Sequence, residues 1–466
     1  MTKLPIELYI QILILLPQKS KLECALVCHQ WTETALHCLY TQVSIKSQGT
    51  LDKFINSIND KPYKRWHVKG ISLFEPYQFD FDKRKLCQML PNLQSVQLFK
   101  FNRERPPSKN RFIHSVKATS TITSLDENGT CDFILYLIES NLCDRLERLC
   151  LTCSPEYAAD RQIPLHLLKN MASLKVLTLG LYGYEFTIWD AETISENIPS
   201  IIDFKCVGAK LAKSHLPVRA SPNSFAKSVT LHFNGISDAP NAPELYCEWL
   251  LYISKKYTGL KKLAINTNEY GSISFEQGRE NIFENGWLSL LQSTGRQLEH
   301  IENINIPSNN INIFKILDDL KCKVKDVSIH SATGFLDPVT TFAQSQQRNS
   351  IQRLVLKNIM VKPNTSLLRD TKLVELKLVF SLCHPVSLSI GNFLRGCPLT
   401  LKSLTIENAM INYDGLDDYQ CSSVTTISIN KDGSVPVNFQ MREMVRRCCP
   451  NLKCLHLFDP SINFFI

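Results

Sequence analysis

The sequence predicts an α/β chain: three short helices over residues 1–45 lead into a solenoid over residues 46–466, with a curved parallel sheet on the concave side and helices on the convex side. Three observations point there. One apolar phrase returns along most of the chain, proline punctuates the helix-to-strand boundaries at a fixed phase, and 466 residues exceed one ordinary compact core. With 44% hydrophobic and 21% charged residues, the chain has the composition of a folded protein and not of a disordered one.

The opening reads LPIELYIQILILLPQKSKLECALVCHQWTETALHCLY. Pro5 suits the first turn of a helix, where its missing N–H costs nothing, and Pro17 stops that helix about three turns later. Ser20 followed by Glu23 reads as a capping box, which starts a second helix at about Ser20 and runs it to Val27. A third carries Trp31, Ala35 and Leu39 on one face at four-residue spacing. The first helix holds more apolar surface than forty residues bury. Leu4, Leu8, Ile12 and Leu15 or Leu16 form one stripe, while Ile6, Ile10, Leu13 and Ile14 extend round to another. One of these faces therefore meets either the following domain or another protein.

This stretch closely resembles the F-box: Leu4-Pro5, Glu7-Leu8, Ile12-Leu13 and Leu16, then Leu26-Val27-Cys28-His29-Gln30-Trp31, with Leu39-Tyr40 beyond. The resemblance implies binding to a Skp-type adaptor, and through it to cullin and RING subunits and a ubiquitin-conjugating enzyme. By matching positions it implies Leu4, Pro5, Leu8, Ile12, Leu16, Leu26, Val27, Cys28 and Trp31 as adaptor-binding residues. Some of these hold the three helices together instead, and the sequence does not sort the two groups.

After Tyr40 the phrase apolar-x-x-apolar-x-apolar recurs, as in Val68-Ile71-Leu73, Leu93-Val96-Leu98, Leu146-Leu149-Leu151, Leu174-Leu177-Leu179, Leu260-Leu263-Ile265 and Val324-Val327-Ile329. It continues through Ile351-Leu354-Leu356, Leu373-Leu376-Leu378, Leu401-Leu404-Ile406, Val424-Ile427-Ile429 and Leu452-Leu455-Leu457. Starts in the second half lie 22 to 28 residues apart, and degenerate copies fall at Ile122-Leu125 and Ile201-Phe204. Roughly a dozen to fifteen units result. Segments such as LCQMLPNLQSVQL, ENIPSIIDFKC, FLRGCPLTLKSLTI and VNFQMREMVRRCCPNLKCLHL repeat the order helix, proline, strand. No unit has enough core to stand alone, so neighbours stack. The whole chain resembles F-box proteins carrying leucine-rich repeats. It departs from them in lacking the asparagine or cysteine after several strands, and in longer spacings from Ser221 to Asn305, where unit boundaries stay open.

In such strands the leucines point inward and the intervening residues form the concave face. That geometry sets Arg353, Val355 and Lys357 beside Glu375, Lys377 and Val379, then Ser403, Thr405 and Glu407, with His330 from an earlier strand. His330, Arg353, Lys357, Glu375, Lys377 and Glu407 are the candidate substrate-binding residues, for a protein substrate.

Catalytic chemistry is not expected. Cys150 to Cys153 is a CxxC without a second pair at zinc-site spacing, and Cys448, Cys449 and Cys454 read as small apolar residues of the repeat. No Walker-type glycine loop or dinucleotide fingerprint occurs, so neither metal nor cofactor is expected. The apolar run Leu4 to Leu16 is broken by Glu7 and Gln11 and does not read as an export signal, and no window reaches membrane-span length. A reducing compartment, cytoplasmic and/or nuclear, suits the 17 cysteines. The net charge of +8 is small for this length, and the basic stretch Lys100 to Phe112 reads as a solvated loop, so no nucleic-acid or membrane partner is expected. These readings make the chain a non-enzymatic, substrate-selecting subunit of a ubiquitin ligase. The alternative is a repeat scaffold whose F-box serves another assembly.

Overall fold

The computed structural model describes residues 5–74, 89–99, 121–129, 134, 137–138, 143–153, 165–214, 220–236, 242–267, 280–306, 312–335, 338–384, 386–412, 420–430 and 439–458. Leu4 and the basic stretch 100–112 lie outside them. The chain divides into two compact units, residues 1–184 with 193–208 and residues 185–192 with 209–466.

The first unit opens with α1 (Ile6–Leu15), α2 (Gln18–Ala25) and α3 (His29–Thr41). Pro5 and Pro17 both hold extended backbone immediately before a helix, so the second helix starts at Gln18 with no side-chain cap. This corrects the expected Ser20–Glu23 capping box: Ser20 already lies inside the helix, because the chain turns on Pro17, whose fixed φ suits that entry. After α3 the chain passes straight into the strand Gln42–Ile45 and then α4 (Gln48–Asp60), capped by Ser47 and packed through Leu51, Phe54 and Ile58.

Among the described residues, seven parallel strands follow one another in this unit's sheet: Gln42–Ile45, Gly70–Phe74, Ser95–Phe99, Ser124–Gly129, Arg148–Cys153, Val176–Leu181 and Asp203–Val207. The second unit stacks nine more, Ser228–Phe233, Lys262–Thr267, His300–Ile306, Asp326–Phe335, Arg353–Ile359, Glu375–Phe380, Ser403–Glu407, Thr426–Asn430 and Cys454–Phe458. Alternation puts one side chain in two on the core side. Leu149 aligns with Leu177 and Phe204 in the first unit, and Leu354 with Leu376, Leu404 and Ile427 in the second, all of them buried.

Register at the strand entry is fixed by the main chain. In repeat after repeat two successive N–H groups donate to one carbonyl of the preceding repeat. Gln94 and Ser95 bond to Lys69 O, Gln352 and Arg353 to Lys325 O, Val374 and Glu375 to Gln352 O, and Lys453 and Cys454 to Thr425 O. Pro91, Pro199 and Pro450 each stand three residues before the first of such a pair, where the preceding helical turn ends and no ladder donor is needed.

The connections between strands vary more than the strands. Some are short helices, as Ile390–Gly396, and others single 3-10 segments, as Leu165–Asn170 and Thr365–Leu368, so the expected unit of one α-helix and one strand holds only for part of the chain. The long spacings after Ser221 contain two fifteen-residue helices, Ala242–Lys256 and Glu280–Thr294. They fix the boundaries that the sequence leaves open.

Candidate functional site

The helices at the start of the first unit sort their apolar residues into two groups. Inside, Leu13, Ala35 and Cys38 form a small core, against which Ile10, Leu16, Cys24, Ala25 and Trp31 pack. Tyr9 and Trp31 meet edge to face with ring centroids 4.9 Å apart. Thr32 Oγ1 donates to Ala25 O at 2.6 Å and to Cys28 O at 2.9 Å, which ties α3 to the turn after α2. Outside, Ile6, Leu8, Ile12, Ile14 and Leu15 of α1 are exposed, together with Leu22, Leu26 and Val27. Leu8, Ile12 and Leu15 recur at helical spacing, so they form one stripe that is left exposed among the described residues. A module this small has used its apolar capacity on one side of α1 and leaves the rest to water.

Of the residues singled out in the sequence, Pro5, Leu8, Ile12, Leu26, Val27 and Cys28 are exposed, while Leu16 and Trp31 are half-buried and belong to the core of the module. Leu4 lies outside the described residues. Leu15 and Leu22 were not among the adaptor candidates and are exposed at 84% and 55%. The signal that would have found Leu15 is its place seven residues after Leu8, on the same stripe.

In the second unit the intervening residues stand in the expected rows. Arg353 pairs with Glu375 and that with Ser403; Val355 pairs with Lys377 and that with Thr405; His330 pairs with Lys357, Val379 and Glu407 in turn. Four of the charges on these rows form two ion pairs. Arg353 Nε lies 3.1 Å from Glu375 Oε1, and Lys377 Nζ 2.8 Å from Glu407 Oε1, which also accepts from Asn430 Nδ2. Such half-exposed pairs contribute little to stability, about 0–1 kcal/mol each, and a bound partner can exchange them for its own groups at small cost. Val355 is buried among them, and Asn358 takes positive φ (66°) where the register shifts between Lys357 and Ile359.

The cysteines are divided. Cys448 and Cys449 are buried, as a repeat requires, but Cys454 is exposed, because its strand turns that position outward and Leu455 inward. Cys150 is pushed up to about 12, first by burial and then by the Asp126 carboxylate, which keeps it a thiol at neutral pH. Among the described residues no group of three or more His, Cys, Asp or Glu is arranged to hold a metal ion, and no helix is long and apolar enough to cross a membrane.

The exposed stripe on a three-helix module of this layout is what the comparison with known families bears on. Residues 1–46 match the F-box-like family. This F-box-like domain is joined to a sheet of the leucine-rich-repeat kind. Solved structures to which the chain is similar include a leucine-rich-repeat protein of Leptospira interrogans, 13% identical, with a TM-score of 0.38 over 90% of this chain and 91% of that one. TLR13 in its complex with ssRNA13 is 12% identical, with a TM-score of 0.33 over 86% of this chain and 64% of that one. No curated protein matches the sequence. An F-box-like domain followed by stacked repeats is a combination of binding modules, and it supports a role in protein–protein interaction.

Proposed function

We propose that the chain is the substrate-recognition subunit of an SCF-type ubiquitin ligase, in which residues 1–45 dock on a Skp-type adaptor and residues 46–466 hold the target protein. The observation that carries this reading is the exposed apolar stripe on α1, together with the exposed Leu22, Leu26 and Val27 of the same module. Contiguous apolar side chains at helical spacing are the anchors by which a helix enters a partner's groove. The adaptor then brings cullin, a RING subunit and a charged conjugating enzyme. The chain itself performs no bond chemistry: it holds the target close, so that attack by a substrate lysine becomes effectively intramolecular.

The rows containing His330, Arg353, Lys357, Glu375, Lys377 and Glu407 are the proposed substrate face. Parallel strands fix these side chains at regular intervals on a rigid support, and their mutual ion pairs keep the face hydrated and soluble until a partner replaces them. A reducing cytoplasmic or nuclear setting fits a ligase subunit and its free thiols.

The test is co-expression with a Skp-type adaptor and a cullin, followed by size-exclusion chromatography. A stable complex containing all three supports the assignment. An adaptor-bound chain that never recruits cullin moves the F-box-like domain to a non-ubiquitin assembly, and a chain that stays free of adaptor at micromolar concentration removes the reading altogether.

A further inference from the structure

A second exposed patch lies between α4 and the strand Gly70–Phe74. Pro62–His67 is a 3-10 helix, whose three residues per turn eclipse positions three apart. Tyr63 and Trp66 therefore share one edge, and both are more than half exposed, at 54% and 56%. The neighbouring edge faces α3. There Lys64 Nζ donates to Tyr40 Oη at 3.0 Å and to Ser57 Oγ at 2.8 Å, and the Nδ1 atoms of His67 and His37 are 3.0 Å apart. Asn92 Nδ2 donates to the Trp66 carbonyl at 2.7 Å. The short helix is thus held from two sides, and its two large rings are turned outward at little further cost in ordering.

The sequence around the rings is mostly basic. Residues 61–69 contain three lysines and an arginine, Asp60 is the acidic residue next to them in the chain, and Lys61 and Lys69 are exposed. We infer that the Tyr63–Trp66 ledge docks a short acidic segment of a partner protein, its carboxylates meeting Lys61 and Lys69 and an apolar side chain lying on Trp66. Tryptophan, tyrosine and arginine concentrate binding energy at protein interfaces, and a pre-ordered aromatic edge loses little entropy on contact. The dimensions favour a peptide. Tyr63 and Trp66, three residues apart at about 2 Å rise, stand about 6 Å apart along the helix axis, the reach of about two extended residues at about 3.3 Å each. A single-stranded nucleic acid is instead held by a basic groove that follows its backbone for many nucleotides. This surface is distinct from the α1 stripe and from the sheet face, and its occupation requires neither the adaptor nor the substrate.

The test uses the purified full-length chain and a fluorescein-labelled Glu-rich peptide with one central Phe, followed by fluorescence anisotropy at low salt, with an oligothymidylate as competitor. Saturable binding is expected, weakened about tenfold or more by Trp66→Ala and weakened with a shallower salt dependence by Lys69→Glu. Lys453→Glu, an exposed residue of the second unit, is expected to bind as the unaltered chain does. Because Trp66 and Lys69 are exposed, circular dichroism melts of these variants should superimpose. Equal binding by Trp66→Ala, absence of saturable binding by the unaltered chain, or displacement by oligothymidylate at lower concentration than by unlabelled peptide overturns the inference.

Discussion

Leu15 and Leu26 offer the sharpest quantitative handle on the F-box-like domain, because they are exposed at 84% and 87%. Complete burial of a leucine is worth about 1.5–3 kcal/mol, and nearly all of that remains to be gained when a partner covers these two. Truncation to alanine removes about three carbons, so each substitution should weaken adaptor binding by about 2 kcal/mol at about 0.8 kcal/mol per carbon. The pair Leu15→Ala/Leu26→Ala then loses about 4 kcal/mol, close to a thousandfold in Kd. Folding should hardly change, since neither side chain touches the core of Leu13, Ala35 and Cys38. Leu13→Ala gives the opposite signature, because it removes a fully buried side chain and should destabilise by about 2–5 kcal/mol. Isothermal titration calorimetry against purified adaptor reads the first effect, and thermal melts read the second. A double variant that binds within threefold of the unaltered chain would refute the reasoning, and so would one whose melting temperature falls as far as that of Leu13→Ala.

Two further outcomes follow from groups inside the units. Glu192 accepts from Lys256 Nζ at 2.7 Å, Tyr252 Oη at 2.8 Å and Ser221 N at 3.2 Å, with both charged side chains almost wholly buried. Glu192→Ala strands the Lys256 ammonium and should cost the second unit about 3–5 kcal/mol in urea unfolding, with partial recovery in Glu192→Ala/Lys256→Met. A loss below about 1 kcal/mol would show the lysine reaching water or losing its proton at little cost. His37 is held below its ordinary pKa by burial, then by the neighbouring His67 and Lys69. The folded state therefore takes up this proton later than the unfolded chain, and the first unit should lose stability as pH falls from about 6.5 through the lower, folded value. Melting temperatures at about pH 7.5 and 5.5 should converge in His37→Gln, and an unchanged pH difference in that variant removes His37 as the cause.

What the sequence conveys is the repeat, because its signal depends on local alternation alone: Leu354 and Leu356 point one way in any strand, and their burial needs no knowledge of the neighbours. Where the alternation is interrupted the reading weakens. The strand His300–Ile306 escaped the phrase because its register slips between Ile301 and Ile304. Ser228–Phe233 escaped because its phrase opens on the small Ala226, and Gln42–Ile45 because α3 runs directly into it. The rows around Lys377 were legible for the same reason as the leucines, since the register of one repeat dictates the next.

The partition of α1 was not legible. Its residues are apolar nearly all round, so hydrophobicity is the same for the face turned to Ala35 and for the face left outside. Only the placement of α3 selects Leu13 and Leu16 for the interior and Leu15 for the surface. The Tyr63–Trp66 edge is likewise invisible in the sequence, where a tyrosine and a tryptophan among basic residues read as well for a core helix as for a ledge.

The doubled hydrogen bond at most of the strand entries has a bearing on how such a protein changes. It uses main-chain atoms alone, so any residue that keeps its N–H can stand at Arg353 or Glu375 without loosening the stack, and only proline is barred. Extra residues between strands are absorbed in the connections, where the interval between successive strand starts already reaches 38 residues, from Lys262 to His300. The outward row of side chains can therefore be rewritten one residue at a time while the framework that displays it stays the same.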